Sequence, residues 1–252
     1  MRSSRRKLIS IVLPTRNEPV VQDLVAQIRE TMQSITNDYE ILAIDKSDDD
    51  TPSRLRRTGV KVIVQKSKGL GGAIIEGLRA AKGDPIIVMD ADLSHNPNFI
   101  PTFLERFSEG YDVVIGSRRV QGGGVIGWGL YRRMVSRVGN SLGRRIAGIG
   151  TPDLTSGYRL YSRRIVESLD FERFRSSGYA FQLEVLAAAS EQGFRIGTVP
   201  IVFYDRAEGV SKLSKKDIFE FFLTALRLGL RRLHRTFFKP ASVVKNNDDR
   251  HE

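Results

Sequence analysis

A chain of 252 residues, 40% hydrophobic and 27% charged, has material for one sizeable α/β core and is too apolar to be disordered over most of its length. The absence of cysteine excludes a disulfide framework, a thiolate nucleophile and cysteine-ligated zinc. Lysine and arginine total 40 against 29 acidic residues, and the net +11 favours polyanionic partners: nucleic acid, anionic lipid or phosphorylated substrates.

At the N-terminus the basic stretch from Met1 to Lys7 precedes an apolar run that stops at Pro14 without a small-residue cleavage pattern, so it does not read as a signal peptide. Nowhere do about 18 apolar residues run together as a spanning helix requires. Leu8–Leu13 predicts a strand and 20–34 a helix. Glu40–Ile44, Val60–Val64, Pro85–Met89 and Asp112–Ile115 predict further strands, with helices near 71–82 and 98–108. This alternation predicts an α/β fold with a mostly parallel central sheet, its Ile, Val and Leu-rich strands buried on both faces. Open sheets of this kind bind ligands at the carboxyl ends of their strands. The polar segments Pro14–Glu18, Asp45–Asp50, Asp90–Asp92 and Gly116–Arg119 are therefore expected to converge on one edge.

Beyond residue 119 the pattern changes. Gly122-Gly123-Gly124 reads as a loop, followed by a basic helix near 127–147, a loop at 148–157, a helix at 178–192, a strand over Arg195–Phe203 and a long helix at 214–235. On that last helix Ile218, Phe219, Phe222, Leu226, Leu230 and Leu233 share one side; Asp217, Glu220, Thr224, Arg227 and Arg231 mark the other. Such a helix either lies on an anionic bilayer or packs its apolar face onto the domain. Helix 127–147, with Trp128, Leu130, Tyr131, Met134 and Val138 among arginines, is a second membrane-facing candidate. One domain over 1–235 and a polar, frayed tail over 236–252 complete the expected organisation.

The chemistry concentrates where Ile86-Ile87-Val88-Met89 ends in Asp90-Ala91-Asp92. Two carboxylates one residue apart suit a hard divalent cation such as Mg2+ or Mn2+ that bridges to substrate phosphates; the plain alternative is an acidic turn. Asn96 before Pro97 predicts a helix cap just beyond, and His95 reads as structural or solvent-facing. Arg118, Arg132, Arg206 and Lys212 lie in four separate segments. Brought together they can hold anions; apart they are surface charges.

Taken in order, Pro14-Thr15-Arg16-Asn17-Glu18, the Asp45 segment, Met89-Asp90-Ala91-Asp92-Leu93-Ser94-His95, Gly116-Ser117-Arg118, Asp153 to Tyr161, Gly178 to Gln182, and Asp205-Arg206 with Gly209, Ser211 and Lys212 form one ordered set. The set resembles the inverting family 2 glycosyltransferases of GT-A fold, and within them the dolichyl- and polyprenyl-phosphate mannose synthases. The resemblance implies a nucleotide pocket of Pro14, Arg16, Glu18, Ile44, Asp45 and Lys46. Asp90, Ala91 and Asp92 would meet the diphosphate, with Asp90 and Asp92 on a divalent cation. Arg118, Arg206 and Lys212 would contact donor or acceptor phosphates and act with Asp92 in catalysis, while Arg118, Arg132 and Ser136 would take the acceptor phosphate. GDP-mannose as donor, a dolichyl or polyprenyl phosphate as acceptor and a β-linked product follow by the same implication. So does peripheral attachment to the cytoplasmic face of a membrane, alone or through an anchoring partner.

Two positions depart from the family pattern. Arg16 stands where the family has Tyr, and Lys46 where a second Asp is usual, which removes an acceptor for the base or ribose. Glucose transfer from UDP-glucose is the alternative within the enzyme class. A basic nucleic-acid-binding protein is the alternative outside it, disfavoured because no zinc-finger, helix-turn-helix or RNA-recognition signature is present.

Overall fold

The computed structural model describes residues 8–176, 178–205 and 215–238, with side chains of the last helix described over 218–235. In chain order its first half comprises β1 (Ile9–Thr15), α1 (Val21–Gln33), β2 (Tyr39–Asp45), α2 (Thr51–Arg57), β3 (Lys61–Val64), α3 (Gly69–Ala80), β4 (Ile86–Val88), α4 (Ile100–Ser108) and β5 (Val113–Ser117). The second half comprises β6 (Gly124–Ile126), α5 (Leu130–Ala147), β7 (Arg159–Tyr161), α6 (Arg163–Ser168), α7 (Tyr179–Glu191), β8 (Ile196–Pro200), β9 (Val202–Tyr204) and α8 (Lys215–Phe238).

The apolar runs of the first half become strands because neighbours cover them on both faces. β1 pairs in parallel with β2 and β4, and the 7-stranded sheet has the order β3-β2-β1-β4-β7-β5-β8. On one face Val21, Leu24, Val25, Ile28 and Met32 of α1 recur at helical spacing and pack with Phe103 of α4 against Ile11, Leu13 and Ile87. On the other, Ile74 and Leu78 of α3, Phe181 and Leu186 of α7 and Phe221 of α8 cover Val12, Ile44 and Val88. The result is a three-layer α/β fold with helices on both sides of a mostly parallel sheet, as expected from the sequence.

β7 is the exception. It runs antiparallel between β4 and β5, so the residues leading into it, and not those leaving it, reach the carboxyl edge of the other strands. The expected single strand over Arg195–Phe203 is split at Ile201. β8 joins the main sheet, whereas β9 pairs with β6 in a separate parallel ribbon. The basic helix begins at Leu130, since Gly124–Ile126 is taken up by that ribbon.

α5 and α8 are drawn together by glycine. A Cβ on Gly143 would stand 2.8 Å from the Phe221 ring, and one on Gly229 would strike the Ile146 carbonyl. The face of α8 that packs inward carries Phe221, Thr224, Ala225 and Leu228. Thr224, expected on the polar side, is buried and hydrogen-bonds Ser176 at 3.1 Å. Phe219, Leu226, Leu230 and Leu233, expected on the apolar side, point away from the domain. The helix thus has two apolar faces, and only one is used for packing.

Candidate functional site

Parallel register brings the carboxyl ends of β1, β2, β4 and β5 to one edge. There β4 gives way to Asp90-Ala91-Asp92. Leu93 takes a φ of 62°, and Asp92 Oδ1 accepts hydrogen bonds from the Ser94 N–H, at 3.1 Å, and from the Ser94 hydroxyl. This Asx-type turn fixes one carboxylate by local chemistry. Asp92 is 8% exposed, and the Asp90 side chain 32%. Asn96 caps the short helical turn that follows by accepting from the Asn98 N–H, as the Asn-Pro pair predicts.

His95 supports this turn from below. It is buried, stacked on Tyr158 with ring centroids 5.0 Å apart, and its Nδ1 accepts from the Asp90 N–H at 3.0 Å. Burial holds its pKa below the ordinary histidine value. With Nδ1 accepting, the neutral ring carries its proton on Nε2, so His95 is a post under the Asp90 backbone. Gly157 closes the other side: a Cβ there would lie 3.0 Å from Asp90 Oδ1. Among the described residues no group of three or more His, Asp or Glu is arranged to hold a metal ion. Two carboxylates suit a cation such as Mg2+, which completes its shell with water and substrate phosphate oxygens.

Two arginines share a cavity lining with the carboxylates, each already matched. Arg118, after β5, binds Asp153 through Nε at 2.8 Å and Nη2 at 2.7 Å, and Nη2 also donates to Thr155 Oγ1 at 2.9 Å. The pair is buried, with side chains 8% and 0% exposed. Burial alone would raise the Asp153 carboxyl, but the Arg118 guanidinium outweighs it and brings the pKa down to about 2. Arg159, wholly buried, donates to the carbonyls of Leu154, Ser156 and Gln182 and so ties the loop carrying Asp153 to α7. Asp153 and Arg159 belong to a family-like stretch, yet no local pattern in the sequence gives either a partner.

Arg132 comes from α5. Its Nη1 donates to both oxygens of Asp205, at 3.1 and 3.2 Å, and its guanidinium carbon sits 4.0 Å from the centre of the Trp128 ring. Ser136, one turn further along, accepts from Arg119 Nη2 at 2.7 Å. A hydroxyl that accepts this bond keeps its own proton for another partner. Arg119 belongs to the polar strand end expected at this edge but carries no role in the sequence reading, and its Nε is buried without a hydrogen bond.

These groups meet in a cavity of about 770 Å³, within the usual range for small-molecule sites. Asp90, Asp92, Arg118, Arg132 and Ser136 supply polar groups to its lining, and Met134 and Val138 of α5 with Phe221 and Phe222 of α8 supply apolar ones.

The expected nucleotide residues stand apart from that lining, at the ends of β1 and β2. Asp45 accepts from Thr15 Oγ1 at 2.8 Å and from Ser47 Oγ at 2.7 Å. Asn17 exchanges hydrogen bonds with Asp48 at 2.6 and 3.1 Å, clipping the two loops together. Lys46 Nζ reaches the Ser67 carbonyl at 3.2 Å, Arg16 is exposed, Pro14 is half-buried, and the Glu18 N–H donates to Thr51 Oγ1 at 3.0 Å. The side chains of Ile44, on β2, and of Ala91, in the turn after β4, are buried in the two cores. Arg206 and Lys212 lie outside the described residues.

Residues 10–170 match the family model for Glycosyl transferase family 2. The chain is 35% identical over 234 residues to dolichol-phosphate mannosyltransferase of Pyrococcus furiosus, a match covering 87% of this chain and 63% of that protein. It thus spans less than two thirds of that relative's length. It is 34% identical over 228 residues to undecaprenyl-phosphate mannosyltransferase of Micrococcus luteus, covering 87% of this chain and 93% of the relative. Among solved structures it is similar to glucosyl-3-phosphoglycerate synthase from Mycobacterium tuberculosis in complex with Mn2+, uridine diphosphate and phosphoglyceric acid. That match has a TM-score of 0.69 at 23% identity and covers 89% of this chain and 79% of the other. At that identity the likeness is one of fold.

Proposed function

This chain belongs to glycosyl transferase family 2, and on that premise we propose that it transfers mannose from GDP-mannose to a dolichyl or polyprenyl phosphate, with inversion and with Mg2+ or Mn2+ as cofactor. The observation that carries the reading is the mixed lining of one cavity. Its carboxylates, arginines and Ser136 suit a cation and phosphates, and its apolar side chains from α5 and α8 suit a prenyl chain. The names of the two curated relatives, both lipid-phosphate mannosyltransferases, support the same choice.

A phosphate monoester is ionised near neutral pH, so it can attack the anomeric carbon without a protein base, unlike the water of glycoside hydrolysis. What the site must supply is alignment and charge stabilisation. Asp90 and Asp92 would hold the cation, which when bound neutralises charge on the departing diphosphate. Arg132 and the outward proton of Ser136 would receive the acceptor phosphate, while Asp153 keeps Arg118 oriented at the cavity floor. Pro14, Arg16, Glu18, Asp45 and Lys46 would border the nucleotide, and Arg206 and Lys212 would reach the diphosphate from the segment after Asp205. Attack from the face opposite the leaving group gives the β-linked product from an α-linked donor.

The lipid substrate fits a surface helix pair. Tyr131 (77% exposed) and Met134 (58%) of α5 line the cavity, and Leu130 (84%) of α5 with Phe219 (69%) and Leu230 (59%) of α8 also expose apolar side chains. Exposed Arg133, Arg137, Arg231 and Arg232 accompany them. Apolar area combined with arginine favours an anionic bilayer surface, here the cytoplasmic face. No helix among the described residues is long and apolar enough to cross a membrane.

The test is incubation with GDP-mannose, Mg2+ or Mn2+ and a short polyprenyl phosphate, followed by mass analysis of the lipid. A cation-dependent gain of one hexose is the expected result. Transfer from UDP-glucose alone would overturn the choice of mannose.

A further inference from the structure

Trp128 is the single tryptophan of the chain, and it lines the cavity just before α5. Two guanidinium groups face its ring: Arg132 at 4.0 Å from the centroid and Arg118 at 5.6 Å. Phe203 meets the indole edge-on at 5.6 Å and lies 5.5 Å from Arg118. The indole N–H is buried and makes no hydrogen bond. A buried donor without a partner is unfavourable, and phenylalanine or leucine would avoid it. The feature of tryptophan in use is therefore its face, whose quadrupole attracts cations more strongly than that of any other side chain.

The two arginines differ in how they meet their carboxylates. Arg118 is gripped by Asp153 at 2.7 and 2.8 Å in a buried pair. Arg132 meets Asp205 at 3.1 and 3.2 Å, with both side chains about a third exposed. Those distances are long for charge-assisted hydrogen bonds. Arg132 is thus close on the ring, and its bonds to Asp205 are longer than those of Arg118 to Asp153.

We propose that Trp128 is a positioning residue for acceptor binding: its ring holds the Arg132 guanidinium at the mouth of the cavity, so that Arg132 can pass from Asp205 to an incoming phosphate without leaving the indole. The proposal rests on the reading that the acceptor is a lipid phosphate. A phosphate monoester carries up to two negative charges and competes well against one carboxylate for this guanidinium. Because the ring fixes Arg132 beforehand, the ordering cost of capturing the anion is reduced.

Two measurements test it on the intact chain. In steady-state assays Trp128→Leu should raise KM for a short polyprenyl phosphate roughly tenfold, the scale of one cation–π contact. KM for GDP-mannose and kcat should hold within about twofold, and Trp128→Phe should recover most of the loss because a ring face is restored. Equal rises in both KM values, an unchanged acceptor KM, or no recovery with phenylalanine would overturn the proposal. The second measurement needs no turnover and no variant of Trp128. Emission of the sole tryptophan is followed while the wild type is titrated with inorganic phosphate and then with prenyl phosphate. A saturable change that disappears in Arg132→Met sustains the proposal, and no change with either anion sinks it. A wild type that shows the emission change yet transfers no sugar would refute the proposed reaction while leaving the role of Trp128 intact.

Discussion

Arg118 and Arg132 approach the same indole, yet the two regions they belong to are built differently. The floor, where Arg118 meets Asp153, is buried, and its carboxylate loop is braced by Arg159. The rim, where Arg132 meets Asp205, is part-exposed and continues into helices whose outer faces are bare of packing. Burial makes an ion pair expensive to break, whereas exposure lets solvent or a ligand replace either partner. The floor therefore fixes geometry, whereas the rim pair is open to solvent.

The largest expected effect lies at the strand-end carboxylates, where Asp92→Ala removes a side chain that belongs to neither apolar core. Turnover should fall by roughly a thousandfold, comparable to losing a preorganised electrostatic group, while the circular dichroism spectrum and melting temperature stay near wild type. Retained turnover would remove Asp92 from the mechanism.

Asp153→Asn should be the costliest change for stability, at about 3–5 kcal/mol near neutral pH, because it strands a buried guanidinium. The pH dependence has a definite sign. The folded carboxyl is held near 2 against 3.8 unfolded, so its contribution is present above 3.8 and lost as pH falls towards about 2. Urea midpoints of wild type and variant should therefore converge through that window. A constant difference across it would deny that the ion pair is the cause.

Gly157→Ala probes position alone. The added methyl would crowd Asp90 Oδ1 at 3.0 Å, and a displaced catalytic group costs on the order of a hundredfold in rate. Wild-type kcat in this variant would show that the Asp90 placement is not critical.

At the rim the effects on folding should be small. Leu226→Asp with Leu230→Asp should abolish sedimentation with anionic vesicles while shifting the urea midpoint little, since both side chains already face solvent. Unimpaired vesicle binding would point the apolar face elsewhere. Asp205→Asn should cost less than about 1 kcal/mol of stability, measured by the same denaturation. A loss as large as that at Asp153 would erase the distinction between the two regions.

Much of the fold was legible because its signal is periodic. The strands of the first half and the helices between them follow from apolar runs and punctuation, and their parallel register then sends the polar strand ends to one edge. β7 was not legible: it has three residues, and its first, Arg159, is a charged group at a wholly buried position. What allows it there is three carbonyls from remote segments, which no local pattern encodes. The same holds for Asp153, whose partner Arg118 lies 35 residues away. On α8 the apolar residues were found but assigned one face, because a helical projection cannot tell which of two apolar stripes a neighbour will cover. Gly143 and Gly229, which admit that neighbour, decide it. The Asp90 and Asp92 carboxylates were legible as a strand-end pair, whereas the aromatic platform under the arginines required coordinates.

The reversed strand has a bearing on how the molecule assembles. β4 and β5 are separated in sequence by one helix, but in space each presents its open edge to residues 159–161. Without those residues β4 and β5 have no strand between them. A truncation ending before Arg159 should therefore be prone to strand-exchange aggregation, and β7 acts as the keystone that joins the two halves.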